Sequence, residues 1–154
     1  MELSYLLLGS NTGDRLHCLR SAIEHLGRDA GKIVAVSAVH ETEPWGFNAS
    51  QMFLNQAVAI ETQLDCFALL ERSQRIEKLL GRERSIGNGY QSRTIDIDIL
   101  FYGVHIINTT TLVVPHPLIE ERLFALAPMI EIAPDFEHPV LNKTMAYLHE
   151  QLSF

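Results

Sequence analysis

Two aspartates, Asp96 and Asp98, stand at alternate positions in Thr94-Ile95-Asp96-Ile97-Asp98-Ile99-Leu100-Phe101. On a strand, successive side chains point to opposite faces, so both carboxylates share one face while Ile95, Ile97, Ile99 and Phe101 share the other. The isoleucine face belongs in a core. The carboxylates then lie about 6.6 Å apart along the strand, close enough to repel one another unless a cation intervenes. Magnesium answers that need, because it takes few protein oxygens and completes its octahedron with water and phosphate. The plainer alternative is an exposed strand carrying two solvated aspartates, an ordinary feature of sheet edges.

Three arginines, Arg82, Arg84 and Arg93, bracket a glycine-containing stretch immediately upstream. Guanidinium groups grip phosphate oxygens in pairs and stay charged, and a loop between them could close over a substrate. Carboxylates and arginines together suggest a polyphosphate, against the alternative of a solvated charged loop. A third group is aromatic and amide: Trp45, Phe53, Asn55, Tyr90 and Phe124. Flat heterocycles stack on such rings, and an asparagine amide offers a donor and an acceptor to a ring edge. Core packing is the plainer role for Phe53 and Phe124. His116 sits between Pro115 and Pro117, whose rings restrict the backbone and could fix the imidazole. Gln74 and Glu77, three apart on a predicted helix, share a face that could border a nucleotide or simply meet water. Gly9-Ser10-Asn11-Thr12-Gly13-Asp14 lacks both the Lys-Ser/Thr of a phosphate loop and the G-x-G-x-x-G spacing, so it reads as a tight turn capped by Asp14 or Thr12.

The elements that must position these residues follow from the apolar spacing. A short strand over 4–8 leads through that turn into a helix carrying Leu16, Leu19, Ile23 and Leu26. A β-branched strand over 33–39 precedes a long loop over 41–51, with Pro44, Gly46 and Asn48. A strand over 53–61 leads to a helix capped by Asp65 and ending at Gly81. The aspartate strand follows, then a hairpin over 104–114 and helical fragments over 118–130 and 144–151. Strand, helix, strand, strand, helix, strand is the ferredoxin-like, split βαβ order: an α+β fold with an antiparallel sheet, helices on one face and a C-terminal extension decorating it.

The chain has 154 residues, 12 Lys+Arg against 19 Asp+Glu, a net charge of −7 and 47% hydrophobic residues. That is one globular domain with a core of its own. The acidic balance argues against a protein built to bind polynucleotide backbone and leaves small anions open where arginines cluster. Cys18 and Cys66 have no metal-ligand spacing and read as small buried thiols. With no basic leader and no apolar run near the ~18 residues a bilayer demands, the expected location is cytoplasmic.

The segments Leu8-Gly9-Ser10-Asn11, Thr42-Glu43-Pro44-Trp45-Gly46, Phe53-Leu54-Asn55, Gln74-Arg75-Ile76-Glu77, Gly81-Arg82-Glu83-Arg84, Arg93-Thr94-Ile95-Asp96-Ile97-Asp98, Val114-Pro115-His116-Pro117 and Arg122-Leu123-Phe124 occur in this order over nearly the whole chain. The set resembles the 6-hydroxymethyl-7,8-dihydropterin pyrophosphokinases of folate biosynthesis. The resemblance implies a single domain over 1–154 that transfers the β,γ-diphosphoryl group of ATP to the hydroxymethyl oxygen of the dihydropterin, releasing AMP. It implies two Mg²⁺ ions on Asp96 and Asp98, with Arg82 and Arg93 acting on the phosphates. It places Gln74, Glu77, Arg84, Ile99, His116 and Arg122 at ATP. Phe53 and Phe124 would sandwich the pterin, Asn55 and the backbone of Thr42, Glu43 and Trp45 would read its edge, and Tyr90 would cover it. The family often has tryptophan where Tyr90 stands and tyrosine where Phe53 stands. Small molecules are the implied partners, with no nucleic acid, membrane or obligate protein partner. No residue of these motifs is an obvious general base, which leaves catalysis to positioning and charge neutralisation. Two rivals remain: a nucleotide- or metal-binding module without turnover, and a magnesium-dependent phosphotransferase that releases ADP.

Overall fold

The computed structural model describes residues 1–42, 52–82 and 95–152. Strand β1 (Glu2–Ser10) leads into helix α1 (Arg15–Asp29), then β2 (Lys32–Val36), β3 (His40–Thr42), β4 (Phe53–Thr62), helix α2 (Cys66–Arg82) and β5 (Asp96–Tyr102). Both long helices begin on an aspartate cap: Asp14 accepts the His17 N–H at 3.2 Å and Asp65 accepts the Ala68 N–H at 2.8 Å. The main sheet runs β2-β4-β1-β5, with β3 added alongside β4. Every pairing within it is antiparallel. This is the split βαβ arrangement expected from the order of elements.

Leu6, Leu8, Val58, Ile60, Ile95, Ile97 and Ile99 point to one face, where Leu19, Leu26 and Leu69 of α1 and α2 complete a core. The opposite face is covered too. Helices α3 (Leu123–Ile132) and α4 (Met145–Leu152) pack over Tyr5, Leu7, Ala57, Ala59, Leu100 and Phe101, burying Leu126, Met129, Met145 and Leu148. The last third of the chain is therefore the second wall of the fold rather than decoration. A small hairpin, β6 (Ile107–Asn108) with β7 (Val113–Val114), connects β5 to it.

Four local expectations change. Strand β1 continues through Gly9 and Ser10, because both pair with β4. Glu41 and Thr42, read as the start of the long loop, join His40 in β3 because β4 offers them an open edge, as in Thr42↔Phe53. Helix α2 runs past Gly81 to Arg82; glycine weakens a helix by about 1 kcal/mol without having to end it. Phe101 leaves the isoleucine face: Tyr5 pairs with Phe101 and Leu6 with Ile99, so Leu100 is an extra residue in β5. Such a bulge moves everything beyond it to the other face. The buried Ser4 hydroxyl donates to the Phe101 carbonyl at 2.7 Å beside the irregularity.

Polar ties set the spacing between layers. Glu131 of α3 accepts the Ala38 N–H at 2.8 Å and pairs with His40; the Ala38 N–H, aided by His40 and opposed by desolvation, holds its carboxyl below the usual range. Arg15 donates to the Met52 carbonyl at 2.6 Å and lies 3.7 Å from the Glu41 carboxylate. Burial, reinforced by Asp65, pushes the Cys66 thiol up to about 11, so it stays protonated and unreactive.

Candidate active site

Between the α3/α4 layer and the Gly9 end of the sheet lies a cavity of about 820 Å³. Its floor comes from three adjacent strands. Gly9 of β1 pairs with Asn55 of β4 on one side and with Asp96 of β5 on the other, and Leu7 pairs with Asp98. Because β-strand residues two apart share a face, Asp96 and Asp98 point into the same cavity as Phe53, Asn55 and Gly9. The far wall is Leu118, Glu121, Arg122, Leu123 and Phe124, from the 3₁₀ turn Ile119–Glu121 and the start of α3.

Of the residues singled out in the sequence, Thr42, Phe53, Asn55, Asp96, Asp98, Arg122 and Phe124 line this one cavity. Asn55 is buried and its amide donates to the Thr42 hydroxyl at 2.9 Å, which orients it. The Arg122 guanidinium lies 5.7 Å from the centre of the Phe124 ring, a cation–π contact. Phe53 and Phe124 are each half-buried, so neither is a plain core residue.

Other expected residues stand elsewhere. Ile99 keeps its side chain in the α1/α2 core at 4% exposure. Gln74 is exposed on α2. Glu77 of α2 accepts the N–H of Ile97, the residue between the two aspartates, at 2.7 Å. His116 donates its backbone N–H to the Leu100 carbonyl at 2.9 Å, tying the Pro-His-Pro turn to the bulge of β5. Arg82 is the last residue of α2. Glu43, Trp45, Arg84, Tyr90 and Arg93 lie outside the described residues.

Leu7, Gly9, Leu118, Glu121 and Leu123 line the cavity without having been singled out for it. Leu118 sits at φ 63°, in the left-handed region, where a leucine costs about 1–2 kcal/mol. Its carbonyl accepts the Glu121 N–H at 2.9 Å, and its side chain is 52% exposed at the cavity lip. The adjacent prolines signalled a constrained turn, but nothing in residue type marked a leucine as the left-handed position.

The charged side chains among the described lining are Asp96, Asp98, Glu121 and Arg122. A polyphosphate meets a net negative wall there unless divalent cations come with it. Among the described residues no cluster of three or more His, Cys, Asp or Glu side chains could cage a metal. Two carboxylates fit a hard cation that keeps most of its shell for water and phosphate, and do not fit zinc.

Residues 5–134 match the family described as 7,8-dihydro-6-hydroxymethylpterin-pyrophosphokinase. A Bacillus subtilis protein named 2-amino-4-hydroxy-6-hydroxymethyldihydropteridine pyrophosphokinase is 46% identical over 137 residues, covering 88% of this chain and 81% of the relative. An Aquifex aeolicus protein of the same name is 40% identical over 145 residues, covering 94% and 89%. In structure, the chain is similar to a Plasmodium falciparum HPPK-DHPS, with a TM-score of 0.80 at 18% identity over 97% of this chain and 41% of that one. That likeness speaks to the fold.

Proposed function

Since the chain belongs to the 7,8-dihydro-6-hydroxymethylpterin-pyrophosphokinase family, we propose that it transfers the diphosphoryl group of MgATP to the hydroxymethyl oxygen of 6-hydroxymethyl-7,8-dihydropterin in folate biosynthesis. The hydroxymethyl oxygen forms a bond to the β-phosphorus, the bond from the β-phosphorus to the α-phosphate oxygen breaks, AMP departs and the hydroxyl proton leaves to solvent. The observation that carries this reading is a single cavity with a carboxylate pair at one side and an amide with two phenyl rings at the other. Charge handling and recognition of a flat heterocycle are thus adjacent.

Asp96 and Asp98 would hold the magnesium that arrives with ATP, two ions by our reading. Bound there, magnesium supplies neutralisation of the triphosphate and alignment for in-line displacement. Arg122 meets phosphate oxygens from the opposite wall, and Arg82, Arg84 and Arg93 are assigned to the phosphates. Gln74, Glu77 and His116 border the nucleotide, and Ile99, its side chain committed to the core, serves through its main chain. Phe53 and Phe124 stack the pterin, while Asn55, held by Thr42, reads its edge; Glu43, Trp45 and Tyr90 are assigned to the same ligand. Among the described residues no helix is long and apolar enough to cross a membrane; we place the enzyme in the cytoplasm, acting on soluble small molecules.

Chromatography of products after mixing the protein with MgATP and 6-hydroxymethyl-7,8-dihydropterin tests the reading. The expected result is AMP and pterin diphosphate in equal amounts, formed only with the pterin present. ADP, or intact ATP, would overturn it.

A further inference from the structure

Gly9 is the next-to-last residue of β1 and is paired on both sides, a place where glycine weakens a sheet because it has no side chain to pack. Two ordinary reasons for a glycine fail there. Among the described glycines only Gly13 and Gly103 have positive φ, so the backbone at Gly9 suits any residue. Packing against the protein does not require it either. A Cβ at Gly9 would lie 3.4 Å from Asn55 Oδ1, 3.9 Å from Phe53 Cδ1 and 4.0 Å from the Leu54 carbonyl, all ordinary contact distances. Gly31 shows the contrast, since a Cβ there would fall 2.2 Å from the Glu61 carbonyl oxygen.

What remains is the cavity, whose floor Gly9 helps to form. Its cross-strand neighbours are Asn55 on one side and Asp96 on the other. It therefore lies between the amide assigned to the heterocycle and the carboxylate assigned to the charged end of the reaction. We propose that Gly9 is a specificity-determining residue: the bare backbone is the sill over which a flat ring reaches with its one-carbon arm toward Asp96. A methyl group at this point fits the empty protein and collides with the ligand. This deepens the pyrophosphokinase reading and rests on it.

The test compares the full chain with Gly9→Ala and Gly9→Val. Thermal unfolding is expected to be unchanged or slightly raised, because both replacements suit a strand better than glycine does. Binding of MgATP alone, followed by calorimetry, is expected to stay within about twofold. Dihydropterin affinity in the presence of a non-hydrolysable ATP analogue is expected to fall about tenfold or more for alanine, the worth of one methyl in a fitted site, and further for valine. Unaltered dihydropterin affinity in both stable variants would overturn the proposal. A fall in unfolding temperature for alanine would do the same, by showing that the fold itself needs the glycine. If the unmodified chain made AMP and pterin diphosphate while the variants matched it, this inference alone would fail; if the unmodified chain bound no dihydropterin, both readings would fall.

Discussion

Strands β4, β1 and β5 carry one continuous face whose two halves have opposite fates. Toward one end, Tyr5, Ala57, Ala59, Leu100 and Phe101 lie beneath α3 and α4, and Phe101 meets Phe136 at 4.8 Å and Tyr5 at 6.4 Å between ring centres. Two or so residues further along the same strands, Gly9, Phe53, Asn55, Asp96 and Asp98 have a cavity above them instead. Leu7 belongs to both halves and marks the border. The backbone ladder is shared, so the difference is made by side chains and by where α3 begins. The lesson is that one sheet can anchor a fold and present a reactive surface without a separate scaffold, provided a helix layer stops short.

That division can be broken from either side. Phe101→Ala removes a fully buried ring from the covered half and is expected to cost about 3–5 kcal/mol, read as a lower denaturant midpoint. Asp98→Ala in the open half is expected to lower kcat by about 10²–10³-fold, the scale of losing a preorganised electrostatic partner. Its circular dichroism melt should match that of the unmodified chain, since Asp98 is exposed. A collapsed fold in Asp98→Ala would erase the distinction between the halves.

Glu77 sharpens the border from behind, because its carboxylate accepts the N–H between the two aspartates. An unsatisfied donor costs about 1–3 kcal/mol, so Glu77→Ala is expected to raise the magnesium concentration for half-maximal rate about tenfold. Glu77→Gln keeps an acceptor oxygen and is expected to stay near the parent value. Equal losses in both would assign Glu77 to the nucleotide through its charge instead.

The smallest effect concerns His138, buried against Phe101 with ring centres 5.4 Å apart. Its Nδ1 accepts the N–H groups of Val140 and Leu141 at 3.1 and 3.2 Å. Burial lowers its pKa, partly opposed by the nearby Glu120 carboxylate. Above the usual histidine value of 6.5, the imidazole is neutral in both folded and unfolded chains and its full contribution is present. As pH falls below that, the unfolded chain takes up the proton first and stability declines toward the lower, folded-state value. Denaturant midpoints between pH 7.5 and pH 5, taken with ~0.5-unit steps, should therefore slope less in His138→Asn; parallel slopes would remove His138 from the account.

How much of this was legible depended on whether the decisive contacts were local. Ile95, Ile97 and Ile99 against Asp96 and Asp98 is a period-two pattern, and it sorted the faces of β5 as far as residue 99. Phe101 was misplaced because a one-residue bulge is a property of the pair β1–β5, not of β5 alone. The second wall was hidden for a related reason: α3 is apolar nearly all round and contains Pro128, so its sequence does not say which surface it covers. Asn55 and Phe53 could be seen to share a face, but their meeting with Arg122 and Phe124 depends on contacts across the sheet and α3 that no local spacing encodes.

Arg15 gives the cavity's rim a modular character. It holds the Met52 carbonyl and sits beside Glu41, while Thr42 and Phe53 face each other across the β3–β4 ladder. The chain thus leaves β3 and re-enters β4 at adjacent, anchored points. Segments of different length or composition could be exchanged between those anchors while Thr42 and Phe53 kept their places, so ligand preference can diverge at this edge of the molecule without renegotiating the fold.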